Sequence, residues 1–155
     1  MRFADRGRRE LYSHILIGLN HLDASHRALR RAINLAARFN AALTVVAVIP
    51  ALPPYTAFTA TLGPEAIQIV QNDQQELFAD LLEMARREAT QHAIEIKTVL
   101  LSGSAVVSLI DAVRMNQVDL LVLGSHRSQD LLGWLSGSTA HELAKRAPCD
   151  VLEVH

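Results

Sequence analysis

The sequence holds one cysteine in 155 residues, Cys149. A lone thiol excludes an internal disulfide and fits a reducing compartment, the cytoplasm. An excess of one charge is missing as well: fifteen basic residues face sixteen acidic ones, for a formal net charge of -1. So weak a net field gives no general attraction to nucleic acid or to a membrane surface. No apolar run approaches the roughly 18 residues of a transmembrane helix. There is no serine nucleophile elbow, and no carboxylate pair stands out for acid–base work. The seven histidines show no zinc spacing, and one cysteine is too few to complete a site with them. Apolar residues, by contrast, are plentiful: half the chain is hydrophobic and a fifth is charged. That composition excludes disorder, because burial can offset the lost conformational entropy. A chain of this length buries roughly two-thirds of its unfolded surface in one core, so one domain is expected.

Residues 1–12 read as a basic, solvated arm, with Arg2, Arg6, Arg8 and Arg9 in its first nine positions. Contact of this arm with phosphate or RNA is the alternative reading. It lacks the apolar stretch of a secretory signal. Residues 13–155 then alternate between two periods. Ile15-Leu16-Ile17, Leu43 to Ile49, Ile94 to Leu101, Leu120 to Leu123 and Val151 to Val154 read as strands. The second is apolar on both faces, as a buried parallel strand is. Helical spacing covers Asp23 to Phe39, Glu65 to His92, Ala105 to Asn116 and Thr139 to Arg146. Asp23 or Ser25 is expected to cap the first helix, and Asn40 to take the left-handed turn after it. In the second helix Ile67, Val70, Leu77, Phe78, Leu81, Ala85 and Ala89 form the apolar stripe. Pro50 to Pro64 is a long, proline-broken loop suited to a lid or contact surface. Alternating strands and helices predict an α/β domain: a doubly wound, open, parallel five-stranded sheet with helices on both faces.

Ligands in such sheets bind beyond the carboxyl ends of strands, where strand order reverses. That rule selects Gly18-Leu19-Asn20 after strand one, Ile49 and the proline-rich loop after strand two, and Gly124-Ser125-His126-Arg127 after strand four. Gly137-Ser138-Thr139 opens the last helix. There a glycine lets amides approach an anion, hydroxyls donate to phosphate oxygens, and the helix points its positive end at the same spot. Thr139 and Glu142 also have the spacing of a capping box, which would make the stretch purely structural. His126 reads either as a ligand contact or as an exposed loop side chain. Trp134 reads as a packing anchor among Leu131, Leu132 and Leu135, and Cys149 as a small buried side chain.

These residues resemble the universal stress protein family. Its nucleotide signature is glycine, two residues, glycine, nine residues, then glycine with serine or threonine. Gly124-Ser125-His126 matches the opening and Gly137-Ser138 the close. Ile15 to Asn20, Ala41 to Val48, Gly103 and the ending Ala147-Pro148-Cys149-Asp150-Val151-Leu152 are similar to the family's corresponding segments. The likeness spans roughly residues 13 to 154. It departs at Arg127, where the signature has its second glycine, and at Asn20, where an acidic residue is usual. Arg127 would either crowd a phosphate loop or supply a guanidinium fork to the phosphates.

The resemblance implies strand order 3-2-1-4-5 and ATP as ligand, with or without magnesium. It places adenine against Ala47 and Val48, the nucleoside at Asn20, and ribose and phosphates at the glycine-rich loop with its serine or threonine. The last strand should lie at a sheet edge, and exposed edges invite pairing. The family likewise implies a homodimer through Val151, Leu152, Glu153 and Val154. The function expected is a cytoplasmic, non-enzymatic, ATP-binding sensor or regulator, with slow hydrolysis at most. The alternative is a nucleotide-free stress protein that acts through an unknown protein partner. Neither membrane nor nucleic acid is expected as a partner.

Overall fold

The structure, a computed structural model, describes residues 11–51, 61–125 and 137–155. The basic arm up to residue 10, most of the Pro50 to Pro64 loop, and His126, Arg127 and Trp134 lie outside the described residues. Tyr12, counted with the arm in the sequence, is held by the fold. Its hydroxyl donates to Asp150 Oδ2 at 3.0 Å, and its ring meets Phe39 edge-on at 5.4 Å.

The strands are β1 (His14–Leu19), β2 (Ala42–Ile49), β3 (Ile96–Ser102), β4 (Leu120–Gly124) and β5 (Asp150–Val154). The described helices are α1 (Asp23–Phe39), α2 (Pro64–Gln91), α3 (Ala105–Met115) and α4 (Gly137–Arg146). All strand pairs are parallel, in the order β3-β2-β1-β4-β5. β1 sits at the centre because Ile15, Leu16 and Ile17 are fully buried and need cover on both faces. Ile15, Ile17 and Leu19 face a core closed by α1 and α2. Leu16 faces the other core, closed by α3 and α4. β5 ends the sheet on one side, as its position in the chain suggested.

Three local expectations need correction. α1 is capped at Leu22 without a side-chain bond; Asp23 is its first residue, favourable at the positive helix end. Ser25 is buried, and its hydroxyl accepts from Asn20 N at 2.9 Å and lies 3.4 Å from Gly18 O. The turn is made instead by Asn20, whose Oδ1 accepts from Leu22 N at 2.9 Å. β3 begins at Ile96 and not at Ile94. Ala93 takes φ 56 and Ile94 N bonds back to Ala89 O at 3.0 Å, so Ile94 belongs to the end of α2. Finally, Leu77 is 53% exposed, and the buried residues of α2 are Phe78, Leu81, Leu82, Ala85 and Ala89. A 28-residue helix is about 42 Å long, far longer than the strands beneath it, so its first half has no sheet to pack on.

Candidate functional site

The helices run antiparallel to the strands, so their amino ends gather at the carboxyl end of the sheet. There a cavity of about 450 Å³ opens beside the ends of β1 and β2. This is within the ~300–1,000 Å³ of small-molecule sites. Gly18, Leu19 and Asn20 supply one wall, and Val46, Val48 and Pro50 another. The start of α3, from Gly103 to Val106 with Leu109, forms the floor, and Thr139 of α4 reaches in from the side. Phe78 of α2 and His21 close the mouth, their rings edge-on at 5.0 Å.

Each wall has a local cause. Gly18 leaves space because a Cβ there would sit 3.0 Å from Leu109 Cδ1. Gly103 takes φ +121, a conformation glycine adopts without strain, and its N–H donates to Ile49 O at 2.9 Å. That turn aims the first turn of α3 at the cavity. Ser104 caps it, its Oγ accepting from Val107 N, and Ser108 N is the next donor, to Ser104 O. The amides of Ala105 and Val106 therefore precede the intrahelical ladder and sit at the helix's positive end. α4 brings a second helix amino end to the same cavity through Thr139.

The described lining carries no carboxylate, lysine or arginine. His21 is its one titratable side chain, and burial, followed by the charge of His26, lowers its pKa below the ordinary 6.5. The described lining thus offers no fixed side-chain charge, beside two positive helix ends. An apolar slot beside those ends suits a flat, weakly polar group joined to an anion. Asn20 spends its Oδ1 on the turn, which leaves the carboxamide nitrogen as the donor it can present. Among the described residues, no group of three or more His, Cys, Asp or Glu could hold a metal ion.

Of the residues selected in the sequence, Gly18, Leu19, Asn20, Val48 and Thr139 are brought together here. Ala47 is not: it is fully buried toward the α1–α2 core. Gly124 and Ser125 do not line the cavity either. A Cβ on Gly124 would come within 2.4 Å of Ala24 C, so the backbone of α1 demands glycine there. Ser125 is buried and continues the sheet, its N–H donating to Val154 O at 2.8 Å. Gly137 and Ser138 form the start of α4, while His126 and Arg127 lie outside the described residues. α4 begins two residues before Thr139, and Glu142 pairs with Arg146 at 2.7 Å, so the capping-box reading of Thr139 does not hold. Sequence reasoning missed Gly103-Ser104-Ala105. The strand-end rule would have found them had it been applied to β3 as well. It also missed Phe78, which reaches the cavity from a helix whose core lies on the other face of the sheet.

Two titratable groups away from the cavity, Cys149 and His14, serve structure. Cys149 is half-buried, and burial pushes its thiol pKa up, against a bond from the Leu121 backbone that lowers it. His14 bridges Asn116 O at 2.9 Å and Thr44 Oγ1 at 2.8 Å.

Residues 11–155 match the sequence profile of the Universal stress protein family. Universal stress protein A homolog 1 of Coxiella burnetii is 32% identical over 148 residues, covering 92% of this chain and 96% of that protein. Universal stress protein UspA from Lactobacillus plantarum has the same fold, with TM-score 0.78 and 23% identity over 93% of this chain and 98% of that one. A universal stress protein solved in complex with cAMP aligns with TM-score 0.66 and 25% identity, over 93% of this chain and 97% of that one. With its profile match, its relatives and its fold in agreement, the chain belongs to the universal stress protein family.

Proposed function

We propose that the cavity binds an adenine nucleotide, with ATP as the ligand, and that the chain acts as a nucleotide-responsive regulator of the stress response. One observation carries this reading: an apolar slot of nucleoside size opens at the carboxyl end of the sheet, beside β1 and β2, and is faced by the amino ends of α3 and α4. Val46, Val48, Leu109 and Phe78 would enclose the base, and the amides of Ala105 and Val106 with Thr139 would face the phosphates. The cAMP complex of a relative at 25% identity supports the same ligand class. Magnesium, where present, would travel on the phosphate oxygens.

The role inferred is binding, with slow hydrolysis at most, because the described lining offers no acid–base pair. We further propose a cytoplasmic homodimer joined along the exposed edge of β5, from Val151 to Val154. None of the described helices is long and apolar enough to cross a membrane.

The test is calorimetry with ATP, AMP and cAMP, with and without magnesium, on protein shown after denaturation to carry no nucleotide. Micromolar or tighter binding is expected. Val48→Trp should fill the slot and weaken binding at least about tenfold, a loss of ~1.4 kcal/mol, with an unchanged thermal midpoint. No binding to empty wild-type protein would overturn the reading and favour the nucleotide-free form acting through a protein partner.

A further inference from the structure

α1 carries four arginines, Arg27, Arg30, Arg31 and Arg38, and a single acidic residue, Asp23. The helical period places Arg27, Arg31 and Arg38 on one exposed side with Asn34 between them. With Arg30 they wall a groove of about 620 Å³ floored by Leu35 and by Val154 of β5. The groove lies across the sheet from α3, and the described lining residues of the two pockets do not overlap.

Among the described residues, no acidic side chain lines this groove. Arg27 Nε donates to His155 O at 3.2 Å, and Arg30 Nε to Glu88 Oε1 at 2.9 Å. Among the described residues, Arg31 and Arg38 have no acidic side chain within 4 Å. Seven residues apart, they stand about 10 Å from each other along the helix, and Arg27 to Arg38 spans about 16 Å. In a chain with net charge -1, this concentration of cations is local and not a consequence of composition. Among the described lining residues the fixed cations are guanidinium groups. The planar fork grips phosphoryl oxygens two at a time, and its charge persists at any pH the fold would meet. The spacing favours a ligand with charges in a row over a single small anion.

We propose that the α1 groove is a second anion site, which takes a chain of phosphate groups. The site does not depend on the nucleotide reading. An inorganic polyphosphate and a nucleic-acid backbone share this chemistry. Calorimetry at low salt with a short inorganic polyphosphate and, separately, with a single-stranded oligonucleotide at equal phosphate concentration tells which source is preferred. Both titrations are repeated in Val48→Trp, so that phosphate entering the nucleotide cavity is not counted.

Saturable binding is expected, weakened about tenfold or more in Arg31→Ala/Arg38→Ala, since two charge-assisted contacts are lost. Alanine is the best helix former, so this variant should keep α1 intact. Arg31→Glu/Arg38→Glu should abolish binding, and raising the salt should weaken the wild type. The proposal is overturned if neither phosphate chain binds or if binding survives in the arginine variants. Equal binding of polyglutamate at matched charge would overturn it too, since the groove would then be a surface for an acidic protein segment.

Discussion

The two ends of this sheet are built from the same strands and helices, yet they are used in opposite ways. At the amino end the described chain reversals are tied down by hydrogen bonds. Asp119, just before β4, accepts from Ser13 N at 2.9 Å, Ser13 Oγ at 2.7 Å and His14 N at 3.1 Å. α1, α2 and α3 each end there with a residue in the left-handed region (Asn40, Ala93 and Gln117), and the next amide bonds back five residues, to Ala36, Ala89 and Val113. At the carboxyl end the helices begin, and the first amides of α3 are turned to a cavity. Bonds spent on closure at one end are left available at the other. The contrast separates residues that hold the fold from residues that line the cavity.

The sharpest attempt to break this division is Gly124→Ala. Gly124 sits at the ligand end and inside the family signature, but its neighbours are the backbone atoms of Ala24 and Ser25. A methyl group there forces α1 outward, at a cost of about 3 kcal/mol. Chemical denaturation should show that loss. If stability is retained while nucleotide affinity falls, Gly124 belongs to the site and the division is wrong at that residue. Next in size is Asp119→Ala at the opposite end. Three donors lose one acceptor, and their partial exposure keeps the cost near 2 kcal/mol. Nucleotide affinity, corrected for the folded fraction, should not move.

The two ends should also separate by pH. His21 at the ligand end has its pKa lowered, first by burial and then by His26. Protonation therefore disfavours the folded state. Its contribution is complete above the ordinary 6.5 and declines as pH falls from there through the lower folded value. Asp119 is also lowered: burial acts upward, and the bonds from Ser13 and His14 outweigh it. Its contribution is complete above the ordinary 3.8 and disappears only as pH falls further, through its own folded value. Thermal midpoints from pH 8 to pH 3 should show two declines. His21→Phe should remove the upper one and Asp119→Ala the lower. A single decline, unchanged by either substitution, would contradict the assignment.

What the sequence disclosed follows the same line. Alternating periods were enough to place nine elements, because each strand is a short apolar run and each helix has one wet face. Strand order was available only through the family resemblance, since no periodicity says which strand lies beside β1. The site was half legible. Gly18 lies at the end of a strand, Asn20 follows it and Thr139 is in the first turn of a helix, where a local rule points at them. Phe78 could not be found that way, because it enters from a helix that packs on the other face. The role of Gly124 was hidden too, since glycine is equally what a phosphate and a neighbouring helix backbone require. The ties of Asp119 to Ser13 and His14 join residues about a hundred positions apart, and no local pattern announces them.

The smallest expected change sits at the tied end and has the opposite sign. Ala93 is exposed and holds φ 56 after α2, where a Cβ is unfavourable by about 1 kcal/mol. Asn40 occupies the corresponding place after α1 with a side chain that tolerates this region better. Ala93→Gly removes the strain but frees the unfolded chain, which returns about 0.4–1 kcal/mol to the unfolded state. The balance is a stabilisation of about 0.5 kcal/mol or less. Because Ile94 keeps its bond to Ala89 O, α2 should end where it does now. Denaturation midpoints resolve a change of this size when the slope is unchanged. A rise with unaltered nucleotide affinity keeps the two ends independent. A rise that loosens nucleotide binding would mean that the end of α2 is coupled, through Phe78, to the mouth of the cavity.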